Sequence, residues 1–250
     1  MARSKGLLKI EGTLDGMTFY KSKDGHMVRT KGGIAKKRIE TDSAFVRTRE
    51  NMAEFKEAAS TGKLFRSALR TLTVNSADVR LVPRVVKLMH QIKNLDGISA
   101  RGQRLVAVGL VTPAGKELLK GLNFNPNSIL GTVLYKAYAV DTATGKIDIA
   151  DLVPANDVAF PSGATHVKFK GAFVKIDFAA GQSELQLTNM VTLAADSAAS
   201  PVSLAPPAVP ALATGVSIFV LGLDFLQEVN GIQYSLKNGA YNALAIVEVV

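Results

Sequence analysis

Several kinds of chemistry are closed to this chain by what it lacks. Its 250 residues include no cysteine, which excludes disulfides, thiolate metal sites and cysteine nucleophiles. There is no tryptophan, and aromatics make up only 6% of the chain. That scarcity argues against a β-sandwich adhesion or glycan-binding module. The three histidines, His26, His90 and His166, are far apart in sequence. A zinc site needs several donors that converge, so none is expected.

Long hydrophobic runs are also missing. The most apolar stretch, LAPPAVPALATGVSIFVLGL, is broken by Pro206, Pro207 and Pro210 and reads as a loop feeding a buried strand. No segment reaches the roughly 18 uninterrupted apolar residues of a membrane helix. The start, MARSKGLLKIEG, is basic but has no apolar run of signal-peptide length. The expectation is therefore cytoplasmic synthesis without a membrane partner. Release by lysis or inside a particle is left open.

What is present is an uneven charge. The net charge is +9. Residues 1–105 carry 22 Lys and Arg against 10 Asp and Glu, whereas residues 106–250 carry 8 against 11. A basic first half suits an anionic partner, either nucleic acid or an acidic protein surface. The candidate contacts are Arg29, Lys31, Lys36, Lys37, Arg38, Arg47 and Arg49. Few aromatics accompany them for base stacking, so nucleic acid is the alternative rather than the leading partner.

Hydrophobic periodicity predicts three segments: a hairpin arm and linker over 1–40, a basic helical region over 41–121, and a β domain over 122–250. In the arm, Leu8, Ile10, Leu14, Met17 and Phe19 are apolar, and Asp24-Gly25 signals a turn into a second short strand, 26–29. A lone hairpin is marginal in water, so this one needs something to pack on. Thr41 or Asp42 is expected to cap a helix with Phe45, Met52, Phe55 and Ala59 on its apolar stripe. Gly62 should interrupt or end that helix, with 63–72 resuming it. Another helix fits 77–93, with Val79, Val82, Val86, Met89 and Ile92 apolar and Pro83 near its start. Thr112-Pro113 starts a short one that ends at Gly121.

Beyond Leu122, strands are expected at 130–140, 145–149, 165–177, 184–193, 215–226 and 241–250. That spacing predicts an antiparallel sandwich or barrel, and an α+β fold for the whole chain.

Catalytic patterns are not in evidence. Gly12-x-x-x-Gly16 has no Lys-Ser/Thr after it, as a phosphate-binding loop requires. Asp141 to Gly145 lacks the carboxylate density of a calcium loop and reads as a hairpin turn. Ser162 has Gly163 and His166 nearby, which a Pro-Ser-Gly turn explains without a nucleophile. No enzyme activity, cofactor or metal is expected.

Four motifs in this order carry a resemblance. They are the opening G-T-L-x-G-x-x-F-Y-K-x-x-D-G, Arg47-Thr-Arg-Glu-Asn51-x-x-Glu-Phe55, Phe160-Pro-Ser-Gly-Ala-Thr-His-Val167, and Phe225 to Gly239. Together they resemble an uncharacterised family of proteins common in Bacteroidota genomes. The resemblance spans most of the chain. It implies a layout of hairpin, basic helices and C-terminal β domain, with no established activity and no site.

The function these features favour is a non-enzymatic subunit that assembles with itself into a filament, tube or phage-like particle. The expected contacts are Leu14, Met17 and Phe19 on the arm, and Ile246 and Val249 on the last strand. Exposed edges at the two ends of the chain would then pair between copies. Opposite charge on the two halves predicts assembly that weakens as salt rises.

Overall fold

The computed structural model describes residues 2–3, 10–30, 33–74 and 80–250, and the chain divides into two compact units, Met1–Glu50 and Asn51–Val250. The first unit is a four-stranded antiparallel sheet in the order β1-β4-β3-β2, made from β1 (Ala2–Arg3), β2 (Gly12–Leu14), β3 (Met17–Ser22) and β4 (Gly25–Thr30). Two tight turns make it. Lys23-Asp24 links β3 to β4, as expected. Asp15 and Gly16 both take positive φ (46° and 73°), the conformation whose twist matches a two-residue hairpin. This second turn makes a three-stranded meander where one hairpin was expected. A short helix α1 (Lys36–Thr41) and a 3-10 turn capped by Asp42 follow.

α2 (Val46–Ala68) leads into the second unit. It runs through Gly62 without a break, contrary to expectation. Gly62 is buried, and a Cβ there would lie 3.4 Å from Val85, so its small size lets α2 approach α4 (Leu81–Lys93) closely. The buried stripe of α2 is Glu54, Ala58, Thr61, Gly62 and Phe65. The stripe expected to be core instead leaves Met52 and Phe55 exposed. A buried ion pair and small residues set the inner face, which no count of apolar spacing would reveal.

Between these helices lies α3 (Arg70–Thr73). The expected helix at 77–93 is seen from Leu81, with Pro83 in its first turn; Val79 lies outside the described residues. α5 (Val106–Val111) and α6 (Pro113–Lys120) complete the helical layer. Thr112 caps α6 as predicted, its Oγ1 accepting from the Gly115 N–H at 3.0 Å.

The β part departs first at 130–140. Leu130–Val133 is a helical turn, α7, and only β5 (Ala139–Val140) is strand. The Asn123 side chain accepts the Leu130 N–H and starts the turn. Then come β6 (Ile147–Leu152), α8 (Pro154–Asp157), β7 (His166–Asp177), β8 (Gln182–Leu187), β9 (Val191–Ala194), β10 (Ser200–Leu204), β11 (Val216–Val229), β12 (Ile232–Ser235) and β13 (Ala243–Val249). The expected strand 184–193 is two strands. Thr188 separates them, its hydroxyl bonding both the N–H and the C=O of Gly171. β10 and β12 were not anticipated; β10 carries Pro201 at a register shift, which hides it in sequence.

All strand pairs are antiparallel, and the α+β class with a C-terminal β domain stands. β11 pairs with β7 along one side, and with β13 and then β12 along the other, in a curled six-stranded sheet. The sheet is apolar on both faces because both are covered. Ala172, Val174, Ile176, Ile218, Val220, Leu244 and Ile246 alternate toward the helices. Phe169, Phe173, Phe219, Leu221, Leu223 and Phe225 alternate toward the small sheet β10-β6-β5. Composition changes at Leu122, yet the helices before it and the strands after it share one core.

Candidate assembly surfaces

The N-terminal sheet brings Leu14, Met17 and Phe19 together. Leu14 lies opposite Met17, and Phe19 opposite both Gly12 and Val28, so strand alternation puts Leu14, Met17, Phe19 and Val28 on one face. Leu14 is 61% and Met17 42% exposed, while Phe19 and Val28 are half-buried. Among the described residues 10–50, none is buried. Ordinary sheets of this size offset their conformational entropy by burying one face. The opposite face carries Tyr20, with the Arg29 guanidinium 5.7 Å from its ring centre.

Ile246 and Val249 are not surface contacts, contrary to expectation. They are 2% and 6% exposed and lie in the core beneath the helices. β13 is paired along β11 on one side. On the other, Phe124 N–H donates to Leu244 C=O and Ile246 N–H to Leu122 C=O. Lys120 of α6 reaches Glu248 at 2.8 Å. What reads in sequence as a bare terminal edge is an interior strand, because a distant segment supplies its second neighbour.

The basic residues are mostly matched locally. Lys36 pairs with Glu40 (3.6 Å), Arg38 with Asp42 (3.2 Å) and Arg47 with Glu50 (3.0 Å). Arg49 donates to the carbonyls of Ile39 and Asp42, tying α1 to α2. Lys37 is exposed, and Lys31 lies outside the described residues. The exposed pairs contribute little to stability, and each offsets charge that a phosphate would otherwise meet.

Two buried carboxylates, Glu54 and Asp96, are held by hydrogen bonds from neighbouring segments. Lys93 and Glu54 form a buried ion pair between α4 and α2, and Glu54 also accepts the Gly102 N–H. Burial alone would raise the Glu54 pKa, but the Lys93 and Gly102 hydrogen bonds outweigh it and lower it. Asp96 is likewise buried, yet the N–H groups of Ser99, Leu105 and Ile98 hold its carboxyl well below the usual range. Together these two carboxylates fix the loop from Asp96 to Leu105.

The nearest approach to a catalytic row is Thr165–His166–Glu228. Thr165 Oγ1 lies 2.9 Å from His166 Nδ1, and His166 Nε2 lies 3.5 Å from Glu228. The hydroxyl already accepts the Glu228 N–H at 2.8 Å. It therefore serves to pin β7 to β11. No group of three metal-ligating side chains occurs among the described residues. No protein-family model, curated protein or solved structure matches the chain.

Proposed function

We propose that this protein is a non-enzymatic structural subunit that assembles with copies of itself, and that the N-terminal sheet is one of its contacts. The observation that carries this reading is the exposed Leu14 and Met17, beside a half-buried Phe19, on a sheet with no buried side chain among its described residues. An apolar sheet face of this kind gains by being covered, and a second copy is always available in proportion. The last strand plays no part in it, because β13 is interior.

Size-exclusion chromatography with light scattering, then negative-stain microscopy of the same sample, tests the reading. Wild type is expected above monomer mass, and Leu14→Asp with Met17→Asp is expected to lower that mass. A clean monomer at every concentration, unchanged by deleting residues 1–33, overturns it. A shift of DNA or RNA by the same preparation at low salt would instead support a nucleic-acid role for the basic half.

A further inference from the structure

We propose a second self-contact, separate from the N-terminal sheet: strand β12 pairs antiparallel with β12 of a second copy about a two-fold axis at Gln233, joining two curled sheets edge to edge. The open edge that the sequence suggests for β13 belongs to β12 instead. β13 stops pairing with β11 at Leu223, and β7 stops at Leu226. Beyond them β11 and β12 continue as a two-stranded ribbon around the Asn230-Gly231 turn, and residues 227–235 are all exposed. A ribbon of two strands is marginal in water and is stabilised by further strands. Backbone direction shows which side of it is open. The Glu228 N–H donates to Thr165 Oγ1 and the Leu226 C=O accepts the Thr165 N–H, so both groups point away from β12. Glu228 and Leu226 lie opposite Gln233 and Ser235. Residues paired in this way face outward on both strands, so Gln233 and Ser235 turn their N–H and C=O groups to the far side of β12. Thr165 closes the β11 side, whereas β12 pairs with β11 alone among the described residues. Another strand is what satisfies such an edge.

The strand that fits is a second β12, because Ile232-Gln233-Tyr234-Ser235 matches itself. With the axis at Gln233, the two Gln233 residues exchange backbone hydrogen bonds, and each Ile232 lies opposite Tyr234 of the second copy. Those flanking positions are the pairs whose side chains approach most closely, and an aromatic against a β-branched residue is a favourable cross-strand pair. Val229 lies opposite Ile232 within each ribbon. Val229, Ile232 and Tyr234, now 47%, 56% and 54% exposed, therefore line one apolar face across four strands. This is the self-complementarity that an isologous contact requires. Charge does not oppose it, since β12 carries none. The nearest carboxylate, Glu228, lies on β11 with His166 Nε2 3.5 Å away. Its counterpart in the second copy would be three strand spacings off, about 14 Å. That exceeds the screening length of about 8 Å at physiological salt. Four residues a side make a small contact, so the dimer is expected to dissociate on dilution.

This inference shares with the proposed function only the need for a second copy, and analytical ultracentrifugation of full-length variants separates the two. The Leu14→Asp/Met17→Asp chain is expected to remain a concentration-dependent dimer. Adding Gln233→Pro should weaken that dimer at least about tenfold. Circular dichroism should be unchanged, because the Gln233 N–H takes no part in the β11–β12 ladder. Tyr234→Lys, the kind of charge that blunts natural sheet edges, should act in the same way. In the otherwise cysteine-free chain, Gln233→Cys should crosslink to its counterpart through a short bismaleimide. A dimer untouched by Gln233→Pro and Tyr234→Lys, with no crosslink from Gln233→Cys, overturns the edge contact while the sheet contact stands. A Leu14→Asp/Met17→Asp chain that is monomeric at every concentration overturns it as well. If Gln233→Pro lowers the mass and the Leu14→Asp/Met17→Asp change does not, the sheet contact falls and the edge contact stands. Capture of a different protein by Gln233→Cys in a cell extract, in place of a second copy, also overturns the proposal.

Discussion

At the scale of single residues, the buried charges set the largest energies. Lys93 is 1% exposed, so Lys93→Met leaves Glu54 buried with only Arg104, 4.0 Å away, as a countercharge. The expected loss is about 3–5 kcal/mol in urea unfolding. The double change Glu54→Leu with Lys93→Met should recover most of it, since a buried ion pair is commonly replaceable by apolar side chains. Asp96 gives a pH dependence of defined sign. Its folded pKa lies below the ordinary 3.8, so the unfolded chain binds the proton more readily. The stability Asp96 contributes is full above that value and is lost as pH falls below it. Asp96→Asn should flatten the acid limb of a stability-versus-pH curve and lower stability at pH 7. Neither role is legible in sequence, where Glu54 and Lys93 read as two ordinary helix charges and Asp96 as part of a turn.

At the scale of elements, close approach decides signs that propensity would get wrong. Replacing a helical glycine by alanine ordinarily stabilises by about 1 kcal/mol. At Gly109 in α5, however, an added Cβ would lie 2.1 Å from the Ile92 carbonyl oxygen of α4. Gly109→Ala is therefore expected to lower the melting temperature, because a backbone atom has to move to admit it. β13 supplies the complementary case. Val249→Asp places a charge in the core, so the expected outcome is loss of folded protein in the soluble fraction, not dissociation of an intact subunit. Recovery of a folded monomer from that variant would contradict the interior placement. Much of the element list could be read beforehand. The Thr112-Pro113 start of α6 and the long strands β7 and β11 follow from capping chemistry and from β-rich runs bounded by turn residues, which are local. β10 is five residues long with Pro201 inside it, and β12 has all four residues exposed, so neither signals a strand on its own. Their pairing with β6 and β11 makes them strands.

At the scale of the whole molecule, the second unit is a three-layer body of helices, curled sheet and small sheet. The first is a small basic sheet with Leu14 and Met17 exposed. Assembly through apolar faces predicts mass that is steady or rises with salt. Assembly through opposite charge on the two halves predicts mass that falls. Light scattering between low and high salt distinguishes them, and steady or rising mass is expected here. By itself the sequence determined what is local: no thiol chemistry, the α+β class, the long strands and the Thr112-Pro113 helix start, whereas Leu14 and Met17 share a face only because the Asp15-Gly16 turn pairs them. Only the tertiary structure decided which apolar residues are covered. The apolar run that marks Ile246 and Val249 as strand residues cannot say whether Leu122 to Phe124 lies beside them, and the spacing of Met52 and Phe55 cannot say which side of α2 meets α4. Burial depends on what distant segments bring alongside, and that is a property of the folded chain.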